Sequence, residues 1–211
     1  DVKFLKLKKL GKYYKIEVQI FDELKKFEIR YKYKNYIKNI LSALAVLYIL
    51  KITKNLSFNF FKNFLIPKGR GNISKIKFKN KKIFLIDESY NSNPLSLSSA
   101  ISNFSNTNIK SEKKHFLMGD MLELGKHSKK LHKDMSNILN NSKINKIHIY
   151  GNDVAETFKG IKKKRKGRIL RKISDIYDLI VRDLNNNDYL MVKGSNSTGL
   201  NKIVETLRGS I

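Results

Sequence analysis

The stretch IFLIDESYNSNP, residues 83–94, joins an apolar run to a cluster of acids, asparagines and a proline. The apolar run predicts the interior of a buried strand, and the Asn/Pro cluster predicts a turn into a helix. Polar side chains that follow such a strand lie where open α/β sheets bind ligands. An ordinary strand-to-helix loop with a good helix cap would have the same composition, so this stretch alone leaves both interpretations open.

The same order of residue types returns twice, in GDMLELG (119–125) and KGSNSTGL (193–200), each after an apolar strand. Because parallel strands end at one edge of a sheet, the three loops would meet there and form a polar pocket. Lys193 and the backbone amides after it could hold an anion at a helix start, although helix capping explains the pattern equally well. The residues predicted at this edge are Asp87, Ser89, Asn91, Asn93, Asp120, Glu123, Lys193, Ser195 and Ser197.

From residue 73 onward, strands, turns and helices alternate about five times, which predicts an α/β fold. We expect a Rossmann-like domain with a parallel-rich sheet and helices on both faces, beginning near residue 87. Its predicted strands end near residues 86, 119, 151, 170 and 194, and its predicted helices cover about 94–105, 127–141, 153–159, 174–184 (capped by Ser174) and 198–207.

The part before residue 87 is predicted to be the end of another α/β domain. Residues 1–33 contain two runs of period two, which predict a hairpin. Residues 35–52 are apolar nearly all round and predict a buried helix, because no clean polar face remains. A second short helix is predicted over 53–66 and ends at Pro67.

Charge is the strongest feature of the composition, with a formal net charge of +26 at pH 7. Lysine is scattered over nearly every segment and accompanied by much Asn and Ile, whose codons are also rich in A and T. A base bias therefore explains the charge better than a dedicated nucleic-acid site, although such a surface binds polyanions weakly at low salt. The run IKKKRKGR (161–168) is the best local basic patch, and a solvated loop is the simpler interpretation.

Several kinds of site are absent from the sequence. No cysteine is present, so disulfides and thiolate metal sites are excluded. The apolar run 41–50 is about half as long as a bilayer span needs, which predicts a cytoplasmic protein without a membrane span. His127 and His132, five residues apart, are predicted on a solvated helix surface rather than at a metal. No G-x-x-x-x-G-K-[ST] phosphate loop occurs.

IDESYNSNP, GDMLELG and KGSNSTGL, in this order and at these separations, resemble the carboxyl-terminal part of MurF-type Mur ligases. The resemblance extends to the helix that carries Asn39 and to PKGRG (67–71), so it covers essentially this whole chain but only the last half of such an enzyme. These enzymes add D-alanyl-D-alanine to UDP-N-acetylmuramoyl-tripeptide (UDP-MurNAc-tripeptide) in peptidoglycan synthesis. The start at Asp1, within strand-like sequence, also suggests that a front part is missing.

The resemblance implies specific roles. Residues 1–86 would be the end of a central ATP-binding domain without its P-loop, and 87–211 the carboxyl-terminal domain. ATP and Mg²⁺ would be the cofactors, an acyl phosphate the intermediate, and the two substrates and the missing amino-terminal half the partners. Asn39 would contact adenine, Arg70 the phosphates or ribose, and Asp87 the ribose hydroxyls. The side that receives D-Ala-D-Ala would be lined by Ser89, Asn91, Asn93, Lys193 and Ser195.

The chain departs from the family pattern at Asn35, where the family often has His, and at Asn196, where it often has Arg. With the P-loop and metal ligands absent, no catalytic residue is assigned, and we predict that the 211 residues alone do not catalyse ligation. One alternative is a stand-alone, non-catalytic module that binds a peptide or nucleotide. Another is a basic nucleic-acid-binding protein.

Overall fold

A computed structural model of the chain describes residues 1–30, 36–53, 56–109 and 113–209. The chain forms two compact units, Asp1–Leu65 and Ile66–Ile211. The predicted boundary at residue 86 differs from this division, because it falls within a strand of the second unit's sheet. A hairpin that precedes the polar loop adds to that sheet, and the sequence did not show which domain it would join.

The first unit contains an antiparallel sheet of β1 (Val2–Leu10), β2 (Tyr13–Ile20) and β3 (Glu23–Arg30), in that order. The predicted hairpin corresponds to β2 and β3, whose inward residues, such as Ile16 and Val18, are fully buried. The sequence did not predict β1 as a separate strand. Most of its residues are exposed, so it lacks the apolar alternation that marks a half-buried strand.

Helices α1 (Ile37–Ile49) and α2 (Phe60–Asn63) complete this unit. The prediction of a buried helix was wrong for α1, because Val46, Ile49 and Leu50 are 56%, 69% and 60% exposed. An apolar surface all round a helix does not show which of its faces the chain covers. α2 is shorter than the predicted 53–66, and Asn35 lies outside the described residues. No helix among the described residues is long and apolar enough to cross a membrane.

The second unit contains a six-stranded sheet in the order β4-β5-β9-β6-β7-β8. β4 is antiparallel to β5, and the remaining neighbours run parallel. This arrangement confirms the predicted α/β class and the parallel-rich sheet. The strands are β4 (Asn72–Phe78), β5 (Lys81–Glu88), β6 (Lys114–Gly119), β7 (Lys146–Tyr150), β8 (Lys166–Leu170) and β9 (Tyr189–Lys193).

Helices cover both faces of this sheet. Along β6, Phe116 and Met118 point to a core formed with α3, α4 and α5, whereas Leu117 points to a core with α6 and α7. Each fully buried side chain of this size contributes about 1.5–3 kcal/mol relative to an exposed one. The helices are α3 (Pro94–Asn106), α4 (Ser128–Asn140), α5 (Val154–Lys159), α6 (Asp175–Asp183) and α7 (Leu200–Gly209).

The last strand, β9, lies between β5 and β6. The helices that follow β5 and β6 pack on one face of the sheet, and the helix that follows β9 packs on the other. Neighbouring connections therefore diverge at the carboxyl ends of these three strands. Open α/β sheets bind ligands in the crevice that such a divergence creates.

The amino end of α6 departs from its prediction. Ser174 makes no side-chain cap bond. The Oδ2 atom of Asp175 instead accepts hydrogen bonds from the backbone N–H groups of Arg171 and Lys172, at 2.9 and 3.1 Å. A carboxylate is the stronger acceptor and also favours the positive end of the helix dipole.

Candidate functional site

The three polar loops meet at the carboxyl ends of β5, β9 and β6, a region that we call the loop edge (residues 88–93, 120–125 and 194–199). The Nζ atom of Lys193 donates to the backbone oxygen of Asn91 at 2.9 Å. The hydroxyl of Ser195 accepts from the N–H of Leu122 at 2.9 Å and donates to the oxygen of Ser92 at 3.3 Å. Lys193 and Ser195 therefore join the three loops, as parallel strand ends predicted.

The buried ammonium group of Lys193 forms an ion pair with Glu88, whose side chain is 26% exposed. The side chain of Lys193 is 2% exposed, and its Nζ atom lies 3.6 Å from Oε2 of Glu88. Burial lowers the pKa of the Lys193 ammonium, and the Glu88 carboxylate opposes that change. Burial likewise raises the pKa of Glu88, and Lys193 opposes it. Each charge thus stabilises the other beneath the loop edge.

Asp87 is buried, with only 3% of its surface exposed. Its Oδ1 atom accepts from the N–H and the hydroxyl of Ser89, at 3.1 and 2.6 Å. Its Oδ2 atom accepts from the N–H of Gly69 at 3.1 Å and from Nη1 of Arg208 at 2.9 Å. A carboxylate has about four acceptor positions, so these four donors saturate it. In this geometry Asp87 positions the loop that carries Gly69.

Arg70 lies on the exposed side of that loop, with its guanidinium carbon 4.3 Å from the ring centroid of Tyr90. Gly69 allows this approach: its φ is +74°, and a Cβ there would lie 2.7 Å from Cβ of Tyr90. Only glycine tolerates both this positive φ and this close approach to Tyr90. The guanidinium is therefore a cation supported by an aromatic face, an arrangement suited to binding an anion.

The remaining residues predicted on the dipeptide side have different surroundings. Ser89 is buried against Asp87, and Asn93 caps α3 by accepting from the N–H of Ser96 at 2.8 Å. Asn91 is exposed, and its side-chain oxygen accepts from the N–H of Ser92 at 2.7 Å. Ser89 and Asn93 thus shape the loop, whereas Asn91 can reach a ligand.

Asp120 and Glu123 do not both face the loop edge. The carboxylate of Asp120 accepts from the backbone N–H groups of Asn152 and Val154, at 3.0 and 2.7 Å, at the beginning of α5. Asp120 therefore fixes the turn after β7. Glu123 is exposed and has a positive φ of 63° within its turn.

Sequence reasoning missed three residues of this region: Tyr90, Ser92 and Arg208. The hydroxyl of Ser92 is buried at the loop edge and has no hydrogen-bond partner among the described residues. Tyr90 could have been noticed as an aromatic residue within a polar loop. Arg208 gave no signal, because it lies 121 residues beyond Asp87 in an ordinary helix sequence.

His132 corrects the prediction of a solvated histidine pair. Its ring is fully buried, and its Nε2 atom accepts from the N–H of Met121 at 3.0 Å. His127 is exposed, as predicted. A spacing of five residues places the two histidines on different sides of the helix, so one can enter the core. His132 thereby supports the loop that follows β6.

This geometry favours binding over covalent catalysis. The hydroxyls of Ser89 and Ser195 are buried and occupied by neighbouring groups of the chain. Two exposed groups, Asn91 at the loop edge and Arg70 on the neighbouring Gly69 loop, are suited to anions and polar groups of a ligand. The described residues contain no group of three or more His, Cys, Asp or Glu side chains that could hold a metal ion.

A family model described as "Mur ligase, glutamate ligase domain" matches residues 74–196, more than half of the chain. The chain belongs to the Mur ligase family. The matched range begins in β4 and ends in the third polar loop, so it contains the strands that form the loop edge.

Two curated relatives are UDP-N-acetylmuramoyl-tripeptide–D-alanyl-D-alanine ligases. The relative from Rickettsia prowazekii is 22% identical over 205 residues, which cover 97% of this chain and 44% of the relative. The relative from Buchnera aphidicola subsp. Acyrthosiphon pisum is 32% identical over 176 residues, which cover 83% of this chain and 37% of the relative. The chain thus spans less than half the length of these curated relatives.

The crystal structure of MurF ligase from Thermotoga maritima in complex with ADP has a TM-score of 0.74 with this chain at 19% identity. The likeness covers 99% of this chain and 46% of that chain, and it shows a shared fold. Together with the relatives, it confirms the resemblance to the carboxyl-terminal part of a MurF-type Mur ligase.

Proposed function

We propose that this chain forms the carboxyl-terminal part of an ATP-dependent ligase that joins D-alanyl-D-alanine to UDP-MurNAc-tripeptide in peptidoglycan synthesis. The observation that carries the proposal is the meeting of three family-specific polar loops at one edge, joined by the bond from Lys193 to Asn91. Both curated relatives are named for this reaction, and the relative from T. maritima was crystallised with ADP.

On the nucleotide side, we assign phosphate binding to Arg70. Its exposed guanidinium against Tyr90 fits a phosphate group. The saturated carboxylate of Asp87 does not fit a direct contact with ribose hydroxyls, so we assign Asp87 the positioning of the Gly69 loop. Asn39, exposed on α1 of the first unit, keeps the proposed contact with adenine.

On the dipeptide side, we assign contacts to Asn91 and Ser92. The exposed amide of Asn91 and the unpartnered hydroxyl of Ser92 offer polar atoms to a dipeptide. Lys193 binds the backbone of this loop and pairs with Glu88, which fixes the position of both contacts. Ser195 holds the third loop against the first.

The proposed reaction has two steps. ATP transfers its γ-phosphoryl group to the tripeptide carboxylate and ADP leaves; the dipeptide amine then attacks the acyl carbon and releases phosphate. The contribution of this chain is to bring the amine to the acyl phosphate. The sequence lacks a phosphate loop, and we assign Mg²⁺ to none of the described residues. We therefore propose that the 211 residues alone do not catalyse ligation. We also propose that the boundary between the two functional domains lies at 65/66, where the two units divide.

Sequencing the DNA upstream of the codon for Asp1 tests the proposed context. We expect an in-frame G-x-x-G-K-T loop about half an enzyme length earlier. A stop codon, or a start codon close to Asp1, would contradict the proposal and leave ligand binding as the function.

Steady-state kinetics of the complete polypeptide tests the assigned roles. We expect phosphate release that depends on D-Ala-D-Ala, and an Arg70→Gln variant with a raised KM for ATP but a nearly unchanged KM for the dipeptide. Arg182→Gln is the matched control, because Arg182 is an exposed arginine on α6. An equal KM for ATP in the two variants would show that Arg70 is not part of the nucleotide site. Dipeptide-dependent ATP turnover by the 211-residue chain alone would refute its predicted inactivity.

A further inference from the structure

A cavity lies at the edge of the second unit's sheet opposite the loop edge, where the parallel strands begin. Its volume is about 330 Å³, near the lower end of the roughly 300–1,000 Å³ typical of small-molecule pockets. The first residues of β7 and β8 line it, together with the end of α6. None of the three polar loops contributes to its lining among the described residues.

The wall of this cavity carries an excess of positive charge. Four cationic side chains line it, namely Lys113, Lys146, Lys166 and Arg168, against the carboxylate of Asp183. Arg168 pairs with Asp183 through two bonds, from Nε to Oδ2 at 2.5 Å and from Nη2 to Oδ1 at 2.6 Å. Among the described lining residues, no further carboxylate balances the three lysines.

Two buried histidines, His115 on β6 and His148 on β7, also line the cavity and contact each other. His148 is 1% exposed, and its Nδ1 atom accepts from the backbone N–H of Arg168 at 2.9 Å. A neutral His148 therefore carries its proton on Nε2, which lies 3.1 Å from Nδ1 of His115. His115 must accept there and so carries its own proton on Nε2.

That last proton has no acceptor within the described part of the chain. The Nε2 atom of His115 is buried and lacks a hydrogen-bond partner. The closest carboxylate oxygen, Oδ2 of Asp188, is 3.5 Å away and accepts from the N–H of Asn185 at 2.7 Å. Burial lowers the pKa of both imidazoles, which favours the neutral donor form. An unsatisfied buried donor is costly unless a ligand supplies the acceptor.

We propose that this cavity binds the phosphate group of a small phosphate monoester. Phosphate oxygens accept from the Nε2–H group of His115, and the ammonium groups of Lys113 and of Lys146, which is paired with His115 across β6 and β7, balance the negative charge. The Nζ atom of Lys166 lies over the ring of Phe158, 5.0 Å from its centroid, and takes no part. Lysine is abundant throughout the chain, so charge alone would not distinguish this place from the rest of the surface. The buried, oriented donor beneath the lysines does distinguish it. This site is independent of the proposed ligase function.

Nuclear magnetic resonance of the ¹⁵N-labelled 211-residue chain tests the proposal directly. Ribose 5-phosphate is titrated at constant ionic strength while the imidazole nitrogens of His115 and His148 are followed, with ribose as the uncharged control. We expect saturable shifts of these nitrogens with ribose 5-phosphate and none with ribose. The absence of a saturable shift in the unmodified chain would overturn the proposal.

Matched double variants then separate a built site from diffuse attraction. We expect Lys113→Gln/Lys146→Gln to raise the Kd about fivefold or more, since it removes two charges from the cavity wall beside His115. Lys129→Gln/Lys130→Gln removes the same charge from exposed positions of α4, which packs on the other face, and should change the Kd less than about twofold. Equal weakening by both pairs would overturn the proposal.

Two further measurements keep the test decisive. If the Lys113/Lys146 variant unfolds, as judged by circular dichroism, the imidazole shifts of the unmodified chain decide alone. A short single-stranded RNA that binds more tightly than ribose 5-phosphate without shifting the imidazole signals would show a polyelectrolyte surface instead of the proposed site.

Discussion

The Nη1 atom of Arg208 lies 2.9 Å from Oδ2 of Asp87, a residue 121 positions earlier in the chain. The same guanidinium donates from Nε to the hydroxyl of Ser74 at 3.2 Å and from Nη2 to the oxygen of Asn72 at 3.3 Å. One side chain of α7 is thereby bonded to β4 and to the end of β5. The loop that presents Arg70 is consequently supported by the last described helix.

Replacing Arg208 by Met should destabilise the chain by roughly 2–3 kcal/mol, because it removes a charged donor from a buried carboxylate. Arg182→Met is the control, since its pair with Asp178 is 3.7 Å long and more than 60% exposed on both sides. The control should change the free energy of unfolding by less than about 0.5 kcal/mol. Urea denaturation of the 211-residue chain measures both, and equal midpoints would contradict the assigned role of Arg208.

Gly69→Ala should cost about 2–5 kcal/mol, from left-handed backbone strain together with the clash against Tyr90. Gly125→Ala isolates the first contribution, because Gly125 has a φ of +54° and nothing within 4 Å of an added Cβ. That control should cost about 1–2 kcal/mol. Thermal or urea unfolding of the two variants gives the difference, and a difference near zero would show that Tyr90 moves aside without penalty.

The sequence predicted the second unit well for local reasons. Buried parallel strands form short apolar runs, and helix starts carry recognisable signals, such as Pro94 in the first turn of α3 and the capping box of Asn93 and Ser96. The meeting of the three loops followed from the rule that parallel strands end at one edge. Lys193 and Ser195, predicted for that edge, do join the loops there.

The features that the sequence did not predict depend on contacts between distant residues. The insertion of β9 between β5 and β6 and the bond from Arg208 to Asp87 leave no trace in local periodicity. His132 looked like a surface residue because its neighbours on α4 are charged, yet its ring is an acceptor for Met121. The exposure of α1 shows the reverse case, an apolar pattern that this unit leaves uncovered.

Lys193→Met should raise the pKa of Glu88 further. Burial already raises that pKa, and the Lys193 ammonium 3.6 Å away counteracts the change. Titration of the Glu88 carboxyl carbon by ¹³C nuclear magnetic resonance measures the effect. Lys68→Met is the control, because Lys68 is 81% exposed and faces Glu205 at 3.7 Å. A Glu88 pKa that is the same in both variants would show that Lys193 does not stabilise the carboxylate.

The buried histidine pair predicts a loss of stability in mild acid. Burial lowers the pKa of His148 from 6.5 to about 3, and the neighbouring His115 adds to this. Between these two values the unfolded chain binds a proton that the folded chain does not. The contribution of His148 to stability is therefore complete above pH 6.5 and decreases by about 1.4 kcal/mol per pH unit as the pH falls toward 3.

Urea denaturation at pH 7.5, 6.5, 5.5 and 4.5 checks this expectation by comparing the chain with His148→Gln. Carboxylates titrate in both proteins, so the difference between their slopes isolates the histidine. The stability advantage of the unmodified chain over His148→Gln should shrink as the pH decreases below 6.5, because the variant has no imidazole to protonate on unfolding. His127→Gln, which removes an exposed histidine, should keep the slope of the unmodified chain. Parallel slopes for the unmodified chain and His148→Gln would mean that the buried imidazole is protonated in the folded protein, and its Nδ1 atom could then not accept from the backbone N–H of Arg168.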